Sequence, residues 1–274
     1  MVADTITRPS AGTGHAHFGR LLLAEWTKLR TVRSTVWSFV VLIVAVIGFT
    51  ALFMALTVSQ WSTMQSSDQA QIRLDPVPQI LGSGLFLGQL AVCVLGVLVA
   101  TSEYSTGMIR STLLAAPHRL RMFGAKALVF TIPVFVLGEA LSFTSYEIGK
   151  AILSSKAPTS LSDPYVTRAV VGEGLYLAVL GLFALAIGQI IRHTAGAITT
   201  VIALVLVLVP LAGLLPGNIG KHVSAYLPTN AGSQIMQIYP KDQILTAWQG
   251  FGVFAIWTVV LLIVGAYMLV ERDA

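Results

Sequence analysis

The sequence predicts an all-α integral membrane protein with six transmembrane helices. Hydrophobic residues make up 55% of the 274 residues and charged residues only 11%, a balance that the surface of a soluble domain of this size would not tolerate. Crossing a hydrocarbon core of about 30 Å takes roughly 20 apolar residues in a helix. Five uncharged runs have about this length, and they cover residues 37–58, 80–100, 174–191, 194–215 and 251–270.

The chain ahead of the first run divides into a tail and a surface helix. Residues 1–17 lack the apolar core of a signal peptide and are expected to form a disordered cytoplasmic tail. Residues 18–35 place apolar side chains on one helix face and basic ones on the other, which predicts an amphipathic helix in the cytoplasmic interface. Glu25 and Arg33 fall on the apolar face, and each either pairs with a neighbouring charge or contacts a partner protein. Residues 36–274 are expected to form one six-helix membrane domain.

A sixth run, residues 123–153, decides the topology because Glu139, Glu147 and Lys150 interrupt it. The favourable insertion free energy of its apolar residues roughly balances the cost of one carboxylate. The distribution of Lys and Arg over the loops would by itself favour five spans. A run such as ALVFTIPVFVLG left in a cytoplasmic loop would, however, need its own burial partner. We therefore predict that this segment spans the membrane.

The connections between the runs differ in character. Residues 59–79 and 154–170 are polar and contain the turn signals DPVP and SDP, which suit external loops. Residues 216–250 are too long for a tight turn and too apolar for a free loop, so we expect short helices that re-enter the outer leaflet under a cover of protein. The two halves of the chain show no internal repeat, which weighs against an inverted-repeat secondary transporter.

Catalytic and metal-binding motifs are not recognisable in the sequence. GSGLFLGQ at residues 82–89 lacks the lysine of a phosphate-binding loop, and its Gly84 and Gly88 instead predict a face for close helix contact. The five histidines are scattered without metal-ligand spacing, and the single cysteine, Cys93, cannot form a disulfide within the chain. We expect no enzymatic activity, no metal and no cofactor bound by this chain. The net charge of +5 suits anionic lipid headgroups better than nucleic acid.

Acidic residues inside the apolar runs are the first candidate functional residues. Glu139 and Glu147 lie eight residues apart and share a broad helix face, and Glu173 begins the following run. An ionised carboxylate at the centre of a bilayer is costly and usually faces a cavity or a partner. One interpretation places Glu139 and Glu147 on a translocation path. The alternative pairs Glu147 with Lys150 near the outer surface and leaves Glu139 accepting hydrogen bonds from the protein.

The connector TSEYSTGMIRSTLLAAPHRLRM, residues 101–122, is too polar and too long for a simple turn. Ser102 is a suitable N-cap and Glu103 suits a first helical turn, so we expect a short cytoplasmic helix over residues 103–114. This helix would offer apolar side chains to a groove on another protein, namely Met108, Ile109, Leu113 and Leu114. Basic residues after it are expected to anchor the next span among lipid headgroups, namely Arg119, Arg121 and Lys126.

Three stretches together resemble the permease subunit of an ABC type-2 transporter, the class with the type V exporter fold. They are LLLAEWTKLRTVRSTVW at residues 21–37, EYSTGMIRSTLLAAPHRLRMFGAKAL at 103–128 and GAYMLVERDA at 265–274. With the six-span plan, the resemblance covers nearly the whole chain. It implies six spans, a cytoplasmic coupling helix between spans 2 and 3, and re-entrant external helices between spans 5 and 6.

The resemblance also implies partners and a location. Two permease chains, identical or homologous, would form the path in the plasma membrane with both termini cytoplasmic, and two copies of a separate cytosolic subunit would bind ATP and Mg. The residues implied to contact that ATPase are Glu103, Tyr104, Ser105, Thr106, Gly107, Met108, Ile109 and, from the interfacial helix, Glu25. Two rivals remain open: an ion-gradient-driven secondary transporter that uses the intramembrane glutamates, and a membrane anchor or sensor that transports nothing.

Overall fold

The computed structural model describes residues 18–109, 114, 118–238 and 244–271, and these residues form helices and short connections without any strand. The expected tail, residues 1–17, and most of the second half of the expected coupling helix lie outside the described residues. Ten helices are labelled here in chain order: α1 (Phe18–Thr31), α2 (Arg33–Ser59), α3 (Ser66–Leu74), α4 (Val77–Ser105), α5 (Arg119–Leu153), α6 (Val166–Ile191), α7 (Thr194–Gly213), α8 (Gly217–Tyr226), α9 (Pro228–Ser233) and α10 (Ala247–Glu271).

Six of the described helices are long and apolar enough to cross a membrane, namely α2, α4, α5, α6, α7 and α10. The predicted all-α, multi-pass membrane protein is therefore confirmed. The interrupted segment is also a membrane-length helix, since α5 continues for 35 residues through Glu139, Glu147 and an internal Pro133. Its apolar residues therefore continue a single helix despite two carboxylates and a proline.

The surface helix and the first span are separate elements. Val32 has an extended backbone, with φ of −74° and ψ of 112°, and it divides α1 from α2. The predicted boundary at residue 35 is therefore wrong by about one turn, because α2 already begins at Arg33. Arg33 itself remains exposed to solvent.

The segment between the last two spans contains short helices, as the sequence predicts. α8 and α9 meet at Leu227, whose extended backbone precedes Pro228 at the start of α9. A 3-10 turn at Gln234–Met236 follows and packs on α6 and α10. Before these helices, α7 contains a π-helical stretch at Ala203–Val207.

The centre of the bundle is α6, the most buried of the six long helices. It packs against α4, α5 and α10. Gly84 and Gly88 lie on the face of α4 that meets α2. A Cβ atom added to Gly84 would come 2.3 Å from the Thr50 hydroxyl, and one added to Gly88 would come 2.6 Å from a Val46 methyl group. The predicted close-contact face is thus confirmed, and α2 is its partner.

Candidate functional site

The EYSTG sequence lies at the end of a membrane-length helix. α4 continues without interruption to Ser105, so the prediction that Ser102 caps the start of a new helix is wrong. Gly107 ends α4 because it adopts φ of +71°, a conformation that suits glycine, and its N–H donates to the Tyr104 carbonyl at 3.2 Å. Met108 and Ile109 then resume helical geometry. The sequence between Val97 and Thr106 contains no glycine or proline, so nothing breaks the helix at Thr101 and it continues toward Gly107.

Glu103 belongs to a set of four charged side chains, which we call the four-charge cluster: Glu25 and Lys28 of α1, Glu103 of α4 and Lys126 of α5. The Lys28 ammonium lies 2.7 Å from carboxylate oxygens of both Glu25 and Glu103. The Lys126 ammonium lies 2.8 Å from Glu103 and 3.6 Å from Glu25. Each charge therefore has two partners of opposite sign, and the cluster joins three helices while carrying no net charge.

Burial makes the four-charge cluster a demanding arrangement. Glu25, Glu103 and Lys126 are 7%, 5% and 3% exposed, and breaking a buried ion pair by removing one partner is strongly destabilising. The Lys126 ammonium also reaches the Val99 carbonyl at 3.4 Å. The predicted headgroup role of Lys126 is therefore wrong, because its amine points into the protein toward two carboxylates.

Lys28 is the most accessible member of the cluster, with its side chain 28% exposed. Partial burial by itself lowers the pKa of Lys28, but hydrogen bonds and charge attraction from Glu103 and Glu25 outweigh that effect and hold the pKa above its ordinary value of 10.5. The ammonium is therefore fully charged at neutral pH, and the pairing persists there.

We expect Lys28→Gln to be less stable than the wild type at neutral pH. A cation whose pKa is raised by folding adds stability below its unfolded pKa and loses it as the pH rises through the folded value. The difference in unfolding temperature between the two proteins should thus shrink only above about pH 10.5. Thermal unfolding in detergent over a pH series measures it. Lys150→Gln, which removes an exposed pair, is the control, and a wild-type advantage that shrinks already below pH 9 contradicts the assignment.

The predicted ATPase-contacting residues divide into a buried group, an exposed group and Tyr104, which is half-buried. Glu25 and Glu103 direct their carboxylates into the four-charge cluster, where Glu25 pairs with Lys28 and Lys126. Ile109 is also buried, at 5% exposure. The residues that remain exposed are Ser105, Thr106, Gly107 and Met108. A partner protein that approaches this end of α4 would meet these four residues first.

Tyr104 connects the same end of α4 to the opposite side of the bundle. The Gln189 side chain of α6 donates a hydrogen bond to the Tyr104 hydroxyl, and the Arg192 guanidinium lies 5.1 Å from the Tyr104 ring centre. Arg192 in turn donates to the Met268 carbonyl near the end of α10 at 2.8 Å. The sequence analysis missed Gln189 and Arg192, and the single available signal was that both are polar residues at the end of an apolar run.

A cavity of about 120 Å³ lies beside the four-charge cluster. All four residues of the cluster line this cavity, together with the apolar side chains of Leu29, Val32, Val99, Met108 and Val129. Because exposed Met108 is among them, the cavity adjoins the exposed end of α4. A side chain that enters it would contact the cluster directly.

The intramembrane acids occupy two different environments. Glu147 pairs with Lys150 at 3.2 Å and both are exposed, which confirms the pairing that the sequence offered as the alternative to a path. Glu139 is half-buried between α5 and α6, and Glu173 is only 1% exposed. The structure thus brings Glu139 and Glu173 to one helix contact and leaves Glu147 outside it.

Metal ligation has no candidate here, since no three His, Cys, Asp or Glu side chains within the described ranges group to hold an ion. No protein-family model matches the chain, and no curated protein matches it.

Proposed function

We propose that this chain is the membrane-spanning permease subunit of an ATP-driven exporter of the ABC type-2 class. In this proposal two separate cytosolic subunits bind ATP and Mg, and a second permease chain completes the path. One observation carries the proposal: the exposed segment from Ser105 to Met108 is joined through buried ion pairs to three helices. A surface loop that merely connects two spans has no need of such an attachment.

The four-charge cluster supports a mechanical role for this segment. A displacement of α4 away from α1 would separate Lys28 from Glu103, and a displacement away from α5 would separate Lys126 from Glu103. Either separation removes one of the two partners from each charge involved and so weakens a buried ion-pair network, in which complete loss of a partner costs about 3 to 5 kcal/mol. A force applied at Ser105–Met108 is therefore transmitted from α4 to α1 and α5 through these ion pairs.

The remaining features of the proposal have local support. α1 exposes apolar side chains, among them Leu23 at 66% and Trp26 at 41%, next to basic Arg20 and Arg30, a combination that suits the cytoplasmic headgroup layer of a plasma membrane. α8 and α9 are proposed to re-enter from the outer side, with Pro228 and Thr229 of α9 covered by protein. Both termini then lie in the cytoplasm.

A second candidate function is transport driven by an ion gradient. Glu139 and Glu173 favour it, because each has a buried carboxylate oxygen without a hydrogen-bond partner and intramembrane acids of this kind occur in proton relays. This candidate requires no ATPase at the end of α4. The two candidates are therefore separated by what contacts Ser105.

Cross-linking from the end of α4 tests the partnership. Cys93 is 1% exposed, so we expect wild-type protein in native membranes to resist maleimide labelling, whereas Ser105→Cys places one reactive thiol in the exposed segment. A maleimide carrying a photoreactive benzophenone should then capture a cytosolic protein that mass spectrometry identifies as an ATPase with a phosphate-binding loop. Added ATP should change the yield.

The control for this experiment is Ser67→Cys on α3. Ser67 is also exposed, but it lies in the connection between α2 and α4, which the proposed topology places on the external side of the membrane. It should label equally well and capture no ATPase. Complete labelling of Ser105→Cys without capture of any nucleotide-binding protein would contradict the ABC assignment. Ion-gradient transport would then be the function to test in vesicles.

A further inference from the structure

Ser142 of α5 makes two contacts that its single hydroxyl hydrogen cannot serve. Its Oγ lies 2.6 Å from the Val170 carbonyl oxygen and 2.8 Å from Oε2 of Glu173. Ser142 is fully buried, at 0% exposure, and Glu173 is buried to 1%. A hydroxyl donates one hydrogen bond and can accept others, a carbonyl accepts only, and an ionised carboxylate accepts only.

Counting hydrogens decides which group must donate. If Glu173 were ionised, one of the two short contacts would bring two oxygen atoms together with no hydrogen between them. A proton on Oε2 of Glu173 removes this conflict: Glu173 donates to Ser142, and Ser142 donates to Val170. One hydrogen then lies between Oε2 of Glu173 and Oγ of Ser142, and another between Oγ of Ser142 and the Val170 carbonyl oxygen.

The surroundings of Glu173 favour the same protonation state. Among the described residues, the ionisable group near Glu173 is Glu139 of α5, a second acid. Among the described residues no lysine or arginine forms an ion pair with either carboxyl group: Lys150 pairs with Glu147, and Arg168 of α6 donates to the Gln237 carbonyl. Two ionised carboxylates at one buried contact repel each other without a compensating cation.

The helices approach closely where the two acids meet. A Cβ atom added to Gly174 would lie 2.5 Å from Oε1 of Glu139, and one added to Gly138 would lie 3.3 Å from the Gly174 carbonyl oxygen. One oxygen of Glu139 and one of Glu173 have no hydrogen-bond partner. The contact therefore has little space for an ion or a second charge.

We propose that Glu173 is a proton-binding site of this protein, with the proton on Oε2 and donated to Ser142, and with Glu139 as the second acid of the site. Release of this proton turns Oε2 into an acceptor, breaks the bond to Ser142 and places a negative charge beside Glu139. The α5–α6 contact must then open to water or take up a cation. This inference concerns the helix contact alone and does not depend on an ATPase partner.

Infrared spectroscopy of the protein in lipid vesicles at neutral pH tests the site directly. A protonated carboxylic acid has a carbonyl stretching band that an ionised carboxylate lacks. We expect one such band in the wild type. It should disappear in Glu173→Gln, whose amide N–H can still donate to Ser142, and it should persist in the control Glu147→Gln.

Two further variants distinguish loss of the Glu173 proton from a general loss of folding. Ser142→Ala keeps the acid but removes its acceptor, so the band should move to higher frequency rather than vanish. Glu139→Gln should retain the band. The proposal is overturned by a wild type without the band at neutral pH, by a band that survives in Glu173→Gln, or by a band lost in Glu139→Gln. None of these results bears on cross-linking at Ser105, so the two proposals fail independently.

Discussion

Glu103→Ala should lower the free energy of unfolding by about 3 to 5 kcal/mol. The substitution removes the carboxylate that accepts from Lys28 at 2.7 Å and from Lys126 at 2.8 Å. Lys126, 3% exposed, keeps only Glu25 at 3.6 Å, so a largely uncompensated ammonium remains inside the protein. Titration with a denaturing detergent in mixed micelles, followed by circular dichroism, measures the loss. If the chain is an exporter subunit, the same variant should also weaken the response of transport to ATP.

Two comparisons separate the charge effect from a loss of packing. Glu147→Gln removes a carboxylate from an exposed pair and should change the unfolding free energy by less than about 1 kcal/mol. The double variant Glu103→Gln with Lys126→Met removes both buried charges at similar volume and leaves Lys28 with Glu25. It should recover most of the loss. Equal effects of Glu103→Ala and Glu147→Gln would show that the four-charge cluster contributes little.

Gly96→Ala should destabilise the bundle by about 2 to 3 kcal/mol, because it forces apart the two helices that hold the core together. A Cβ atom at residue 96 would lie 2.5 Å from the carbonyl oxygen of Gly181 and 3.0 Å from the Cβ atom of Ala184. The first neighbour is backbone of α6, the most buried long helix, so no side-chain rotation relieves the clash. The same detergent titration measures the change.

Gly82 provides the matched control on the same helix. A Cβ atom added to Gly82 meets nothing within 4 Å, and alanine is a better helix former than glycine by up to about 1 kcal/mol. Gly82→Ala should therefore be neutral or slightly stabilising. A Gly96→Ala protein as stable as Gly82→Ala would mean that α4 and α6 are further apart than described.

The long helices could be predicted from sequence because their signal is local. Each apolar run is about as long as a membrane is thick, and even the interrupted α5 could be inferred from the burial that its apolar residues require. The same local reasoning failed at Ser102. A serine before a glutamate is a good start for a helix, but no glycine or proline interrupts the sequence from Val97 to Thr106, and α4 continues through Ser102 to Ser105.

The four-charge cluster could not be predicted because its partners are distant in sequence. Lys28 and Glu103 are 75 residues apart, and nothing near either residue indicates the other. The misplacement of Glu25 on an apolar face was a genuine signal, yet it left a neighbouring charge and a partner protein equally open. Lys126 appeared to be an ordinary interfacial cation for the same reason. Only the packing of α1 and α4 against α5 shows which carboxylates Lys126 meets.

The four-charge cluster also fixes an order of events while the chain is being made. Glu25 and Lys28 can pair at once, since they lie one helical turn apart. At about 5 to 20 residues per second, the ribosome needs roughly 4 to 15 seconds to add the 75 residues that separate Lys28 from Glu103. Lys126 emerges later still. α1 is therefore fixed in place only after α2 and α4 have been made and α5 has been started.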